Sequence, residues 1–142
     1  MDMTASTETE TLHPFDDAPD VWISVKHELN AGEDRELMFS ALVRTSRPIK
    51  GDGQLGDEIG YSVDTDRAAF TKATLYLVDW NVPGPSGKPI DISSKAAKVS
   101  GLKALKPERF TLIERAIDVF LDDLAKKKRP SQSSGSSAPK EP

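Results

Sequence analysis

Few residues in this sequence have the chemistry of a catalytic or metal site, and their spacing does not group them. The chain has no cysteine and two histidines, His13 and His27. The lack of cysteine excludes disulfides, thiolate metal sites and thiol nucleophiles. His27 and Glu28 start the pattern of a zinc-protease helix, but Ala31 stands where that pattern requires its second histidine. The sequence therefore predicts no metal centre.

Two glycine-containing stretches look like nucleotide-binding loops. Residues 51–56 read Gly-Asp-Gly-Gln-Leu-Gly, which matches the dinucleotide fingerprint. That fingerprint works only where a buried strand enters the loop and a helix N-terminus faces the pyrophosphate. Here no buried strand is predicted before it, and Asp57 and Glu58 would repel phosphate. The second stretch, residues 84–89, contains Gly87 and Lys88. Pro89 stands where a phosphate-binding loop requires Ser or Thr after the lysine. We therefore expect no cofactor.

The remaining polar candidates are better explained as helix ends. Ser100 and Lys103 have the spacing of a penicillin-binding serine and lysine, but the companion motifs are absent. Asp64 and Asp66 are predicted to cap a helix and to occupy its first turn. The basic run at 126–129 suits the negative end of a helix dipole, and the net charge of the chain is −4. We predict no catalytic residues and no nucleic-acid partner.

Two amphipathic helical patterns are predicted to form the scaffold. Trp80 ends the first pattern, and residues 81–89 hold three prolines and two glycines, which predict a turn. The apolar residues recur at three- and four-residue spacing, so each set lies on one helical face. The first set is Ala69, Ala73, Tyr76, Leu77 and Trp80; the second is Phe110, Ile113, Ile117, Phe120, Leu121 and Leu124.

The other elements follow from local signals. Residues 21–26 alternate as a half-buried strand. Asn30 and Glu33 have the spacing of a capping box for a helix over 31–44, whose inner face would carry Leu37, Met38, Ala41 and Leu42. A short strand over 59–63 is expected to pair with the first strand. Further helices are predicted from Asp64 to Trp80, from Ser93 or Ser94 to Gly101, and from Pro107 to Lys128.

These elements predict a small, mainly α domain of the α+β class. It would contain about four helices and one or two short N-terminal strands, and no apolar run is long enough to span a membrane. We expect a disordered acidic arm over 1–19, one globular domain over 20–129 with a mobile loop at 45–60, and a disordered Ser/Pro-rich tail over 130–142. The start of the chain lacks the pattern of a signal peptide, so a cytoplasmic location is expected. The predicted core comprises Trp22, Trp80, Phe110, Ile113, Ile117, Phe120 and Leu124.

One feature of the last helix predicts a surface for a partner. Leu112 and Val119 lie about half a turn away from the Phe110 and Ile117 face. They would form a second, partly exposed apolar strip. We predict that this strip binds a protein partner.

Six short motifs follow one another along the chain. They are an early tryptophan, Trp22; Leu-Asn-Ala-Gly-Glu at 29–33; Leu-Val-Asp-Trp at 77–80; Gly-Lys-Pro at 87–89; Leu-Lys-Ala-Leu-Lys-Pro at 102–107; and Ile-Glu-Arg-Ala-Ile-Asp at 113–118. Their order resembles that in the tail assembly chaperones of long-tailed, siphovirus-type bacteriophages. The resemblance spans residues 21 to about 123. Lys106 departs from the acidic or capping residue of the family pattern.

The resemblance implies a non-enzymatic helper of virion assembly in the host cytoplasm. Such chaperones coat the tape measure protein, help to recruit the major tail protein, and leave before the tail is complete. Self-association is also compatible with this role. A competing interpretation is a minor tail or head–tail connector protein that stays in the virion. A small DNA-binding regulator is a third class.

Overall fold

The computed structural model describes residues 1–46, 59–63 and 65–128, with the backbone alone for 43–46, 59–63 and 65–66. The described elements are β1 (Thr9–Leu12), β2 (Ile23–Lys26), α1 (Ala31–Ala41), β3 (Leu42–Ser46), β4 (Ile59–Val63), α2 (Thr65–Tyr76), β5 (Leu77–Trp80), α3 (Lys95–Ala104) and α4 (Pro107–Lys127). The predicted α+β class with four helices is confirmed. Within the described part of the chain, no helix has the length and apolar character needed to cross a membrane.

A three-stranded antiparallel sheet lies at the centre of the fold, in the order β1-β2-β5. In β2, Ile23 and Val25 are fully buried, and Ser24 and Lys26 on the opposite face are half-buried. The pairing of β2 with β5 aligns Ile23 with Trp80 and Val25 with Leu77, with a register shift between the two pairs. The shift lets Leu77 and Trp80, three residues apart, both face the core, because a bulge adds one residue to a strand.

The helix predicted to end at Trp80 is therefore shorter than expected. Helix α2 ends at Tyr76, and the next four residues form β5. Their three-residue apolar spacing fits a helical face, but it fits a bulged strand equally well. Pairing with β2 supplied the backbone hydrogen bonds, and this long-range contact could not be read from local periodicity.

The helix predicted over 31–44 also ends early. Helix α1 stops at Ala41, and Leu42–Ser46 pairs with Ile59–Val63 as an antiparallel hairpin. The strand at 59–63 was expected, but its predicted pairing with β2 was wrong, because β1 and β5 occupy both sides of β2. The β-branched residues of β3 favour a strand over a further helical turn.

The starts of α1, α3 and α4 and the last turn of α4 agree with the local signals in the sequence. The side chain of Asn30 accepts a hydrogen bond from the Glu33 backbone, and the Glu33 side chain accepts one from the Asn30 backbone, which completes the predicted capping box. Ser94 caps α3, and Pro107 is the first residue of α4. Lys126 and Lys127 occupy the last turn of α4, where the helix dipole favours positive charge.

Trp80 fills the junction between the sheet, α3 and the turn that follows β5. Its side chain is 3% exposed, and its indole Nε1 donates a hydrogen bond to the Ile90 carbonyl at 2.9 Å. A Cβ on Gly101 of α3 would lie 3.5 Å from the indole Cζ2 and 3.1 Å from Ile90 Cγ2. Glycine at this position therefore lets α3 approach the ring closely.

Five of the predicted core residues pack in the core, and two lie elsewhere. Phe110, Ile113, Ile117 and Trp80 are buried, and Phe120 is half-buried against them. Trp22 is only half-buried and lies outside the core cluster, because it precedes Ile23 and strand alternation turns it away. Leu124 is also half-buried, and the cluster reaches no further along α4 than Leu121.

The N-terminal arm differs from the disordered segment that its composition predicted. Thr9–Leu12 pairs along its whole length with β2, from Thr9 opposite Lys26 to Leu12 opposite Ile23. Phe15 is 4% exposed and belongs to the core. The acidic composition was misleading because the segment pairs with β2 and packs Phe15, Leu12 and Ala18 against the core.

Several predictions lie outside the described residues. These are the mobile loop, except for its ends in β3 and β4, the glycine motif at 51–56, the cap at Asp64, and the tail over 130–142.

Candidate partner-binding surface

The predicted strip on α4 is divided by the packing of the helix. Leu112 is half-buried and packs against the core, whereas Val119 is 54% exposed. The two residues therefore do not form one continuous exposed surface. Val119 alone remains accessible to a partner, and its role in binding stays a prediction.

A second exposed apolar surface lies at the end of α1. Met38 and Phe39 are 57% and 61% exposed, and Leu42, the first residue of β3, is 43% exposed. The sequence predicted Met38 and Leu42 on the inner face of this helix. Instead Leu37 is half-buried and Ser40 is buried, where its hydroxyl donates a hydrogen bond to the Leu37 carbonyl at 2.7 Å. The buried face of α1 is thus more polar than expected.

One apolar cavity is a groove that we call the N-terminal groove. The loop after β1, the turn after β5 and the junction between α3 and α4 form its walls, and its volume is about 470 Å³. Phe15 and Val82, both nearly fully buried, lie at its base. Its lining residues are Phe15, Ala18, Val21, Val82, Pro83, Gly84, Pro85, Ile90, Ala104, Leu105, Lys106 and Arg109.

Two charged side chains, Lys106 and Arg109, line the N-terminal groove, and we call them its rim. The two terminal nitrogens of Arg109 donate hydrogen bonds of 2.7 Å to the two carboxylate oxygens of Asp17. The guanidinium carbon lies 5.0 Å from the centroid of the Phe15 ring, within cation–π distance. These hydrogen bonds from Arg109 lower the pKa of Asp17 because they favour its ionised form. Arg109 thereby holds the acidic loop against α4.

No sequence pattern indicates the N-terminal groove directly, because one of its walls belongs to the arm that is predicted to be disordered. Phe15 was the available signal, since a single aromatic residue in an otherwise acidic segment is a candidate anchor. The proline-rich stretch at 81–89 predicts a turn, but no local pattern indicates that this turn forms another wall of the groove.

A polar cleft of about 330 Å³ lies between β2, α1 and the start of α3. Lys26 and Glu33 form an ion pair across it, and Lys98 Nζ donates a hydrogen bond to the Leu77 carbonyl at 2.6 Å. Burial lowers the pKa of Lys98, and the nearby charge of Lys26 adds to this effect. Burial disfavours ionised Glu33, but hydrogen bonds from Lys26 and the Asn30 backbone outweigh that and lower its pKa. These charges satisfy one another and support the start of α1.

The polar residues considered as candidate sites are dispersed. His27 Nε2 lies 3.3 Å from Glu10 Oε1, and its ring meets Phe120 edge-to-face. Ser100 and Lys103 lie on α3, and Asp66 lies in the first turn of α2. Across residues 1–46, 59–63 and 65–128, no three histidine or acidic side chains form a group suited to a metal ion.

Comparison of the chain with protein-family models, with curated proteins and with solved structures gave no match.

Proposed function

We propose that this protein is a tail assembly chaperone of a long-tailed bacteriophage. In this role it acts without catalysis in the host cytoplasm, binds the tape measure protein, assists the addition of major tail protein, and is released before the virion is complete. The observation that carries the proposal is the order of the family-like motifs between residues 21 and about 123.

These motifs occupy positions that determine the fold. The Leu-Asn-Ala-Gly-Glu segment contains the capping box of α1, and Leu-Val-Asp-Trp is β5 with the central indole. Gly-Lys-Pro lies in the turn after β5, where Gly87 has a φ of +83°, a value that favours glycine. Leu102 and Ile113, from the last two motifs, are fully buried. The resemblance thus concerns residues that build the scaffold, which is where distant relatives are expected to agree.

The surfaces of the molecule support a protein partner. Met38, Phe39 and Val119 are large apolar side chains that are more than half exposed. Exposed apolar surface of this kind, when clustered, is typical of protein-binding sites. A chaperone that coats an elongated protein needs such contacts, each weak enough to be released.

Co-expression with the tape measure protein of the same phage tests the proposal. We expect the two proteins to purify together through an affinity tag on the tape measure protein, and we expect the tape measure protein to be more soluble in the presence of the chaperone. An unrelated long helical protein that carries the same tag is the specificity control. A tape measure protein that is recovered alone, with unchanged solubility, would contradict the proposal.

A further inference from the structure

We infer that the N-terminal groove binds an apolar peptide segment of another protein that carries acidic side chains on its flanks. The inference is independent of the tail-assembly proposal, since it depends only on the groove. Its volume of about 470 Å³ lies within the range of about 300 to 1,000 Å³ that is usual for ligand sites.

The backbone of the groove leaves little hydrogen bonding for a ligand. Pro83 and Pro85 have no N–H group. The Gly84 amide donates to the Lys88 carbonyl at 2.8 Å, and the Ile90 amide donates to the Val82 carbonyl at 2.9 Å. Addition of a peptide as an extra strand along this turn is therefore disfavoured, and binding must rest on apolar contact with the groove.

The walls of the groove are held firmly enough to be preformed. A Cβ at Gly84 would lie 3.1 Å from Ile90 Cγ1, so the two sides of the turn are in close contact. On the opposite wall, Arg109 ties the loop through Asp17 and covers the Phe15 ring. A preformed apolar groove binds without first ordering its own walls, which reduces the entropic cost of binding.

The charged side chains that line the groove favour an acidic ligand at Lys106. Lys106 and Arg109 provide two positive charges, and Asp17 balances one of them. Lys106 is exposed and forms no ion pair with any residue that the structure describes. Asp16 and Asp20 are exposed in the same loop but do not line the groove. A carboxylate beside the bound apolar side chains would therefore meet Lys106.

Peptide titration of the isotope-labelled full chain, followed by NMR, tests the inference. The probe is a capped heptapeptide with leucine and phenylalanine at its centre and aspartate and glutamate on the flanks. Its matched controls carry asparagine and glutamine, or two lysines, in place of the acids. We expect shifts concentrated at groove residues such as Gly84, Ala104 and Lys106. We expect the acidic peptide to bind roughly two- to fivefold more tightly than its amide counterpart, as is usual for one exposed ion pair.

Two variants separate the contributions of charge and shape. Lys106→Glu should abolish the preference for the acidic peptide, whereas Lys103→Glu, an exposed lysine outside the groove, should preserve it. Ala104→Trp places a large side chain at an exposed position on the groove wall and should block all three peptides. Thermal unfolding shows whether each variant folds. If Ala104→Trp does not fold, the loss of acidic preference in Lys106→Glu still tests the inference.

Three results would overturn the inference. The first is an absence of groove shifts at millimolar acidic peptide, and the second is equal or tighter binding of the lysine peptide. The third is a dimer of the unliganded chain that Ala104→Trp converts to monomer, because the groove would then be occupied by a second copy.

Discussion

At the scale of single residues, the indole of Trp80 links the sheet, α3 and the turn after β5. It faces Ile23 across the sheet, donates to the Ile90 carbonyl at 2.9 Å, and lies against Gly101 of α3. Loss of a buried aromatic side chain removes apolar contact and leaves a cavity. Here it would also leave a carbonyl without its hydrogen-bond donor.

We predict that Trp80→Ala lowers the free energy of unfolding by about 3 to 5 kcal/mol. Urea denaturation followed by circular dichroism measures the change. Trp22→Ala is the matched control, because Trp22 is half-buried outside the core and its loss should cost much less. Equal urea midpoints for Trp80→Ala and the unmodified protein would show that Trp80 does not stabilise the core.

Because Glu33 pairs with Lys26, we predict that the stability of the fold depends on pH. The pKa of Glu33 is lower in the folded chain than its ordinary value of 4.5, so the ionised form stabilises the fold. That stabilisation is complete above pH 4.5 and is lost as the pH falls through the lowered folded-state pKa. Glu33→Gln keeps a side chain that can serve in the capping box but removes the charge.

We therefore expect Glu33→Gln to reduce stability at pH 7 and to flatten the loss of stability below pH 4.5. Thermal unfolding measured between pH 3 and pH 7 provides the comparison. Glu36→Gln is the control, since Glu36 pairs with Lys95 at the exposed surface. If the unmodified protein and Glu33→Gln lost stability in parallel below pH 4.5, the pair with Lys26 would have no stabilising role.

At the scale of elements, the starts of α1, α3 and α4 and the end of α4 could be predicted from sequence, but the ends of α1 and α2 could not. Asn30, Ser94 and Pro107 act within one turn of their own positions, so local pattern identified them. The ends of α1 and α2 depend on strands that pair over long sequence distances. The first strand was missed for the same reason, because Thr9–Leu12 is ordered by its pairing with β2.

Phe15 provides the test of the ordered N-terminal segment. We predict that Phe15→Ala lowers the free energy of unfolding by roughly 3 kcal/mol, because this ring is 4% exposed in the core. Met3→Ala, at a position that is 86% exposed, is the control and should leave stability unchanged. If Phe15→Ala were as stable as Met3→Ala, Phe15 would not contribute to the core, and the arm over 1–19 would be disordered as the sequence predicts.

The outer face of α4 contains Val119, which the sequence predicts to contact a protein partner. Leu112→Glu would place a charge against the core, so Val119→Glu is the cleaner test of that surface. We expect Val119→Glu to fold normally and to weaken co-purification with the tape measure protein. Thr111→Glu adds the same charge at an exposed position of the same helix and should bind normally. Unaltered co-purification of Val119→Glu would exclude Val119 as a contact.

At the scale of the whole molecule, the sequence predicts the buried scaffold better than it predicts the groove and the exposed apolar surfaces. The buried face of α4 repeats over several turns, so Phe110, Ile113 and Ile117 were found from spacing alone. The N-terminal groove is built from three segments far apart in the chain, and no local pattern brings them together. Met38 was assigned inward because periodicity gives the apolar face of a helix but not what covers it.

A chaperone of tail assembly must be present while the tail forms and absent from the finished particle. Under the proposed function, quantitative mass spectrometry of infected cells and of purified virions of the proposed source phage measures both. We predict abundant protein in the infected cells, recovered with the tape measure protein, and less than about one copy per virion. Stoichiometric copies in purified virions would contradict the account and would identify a structural component instead.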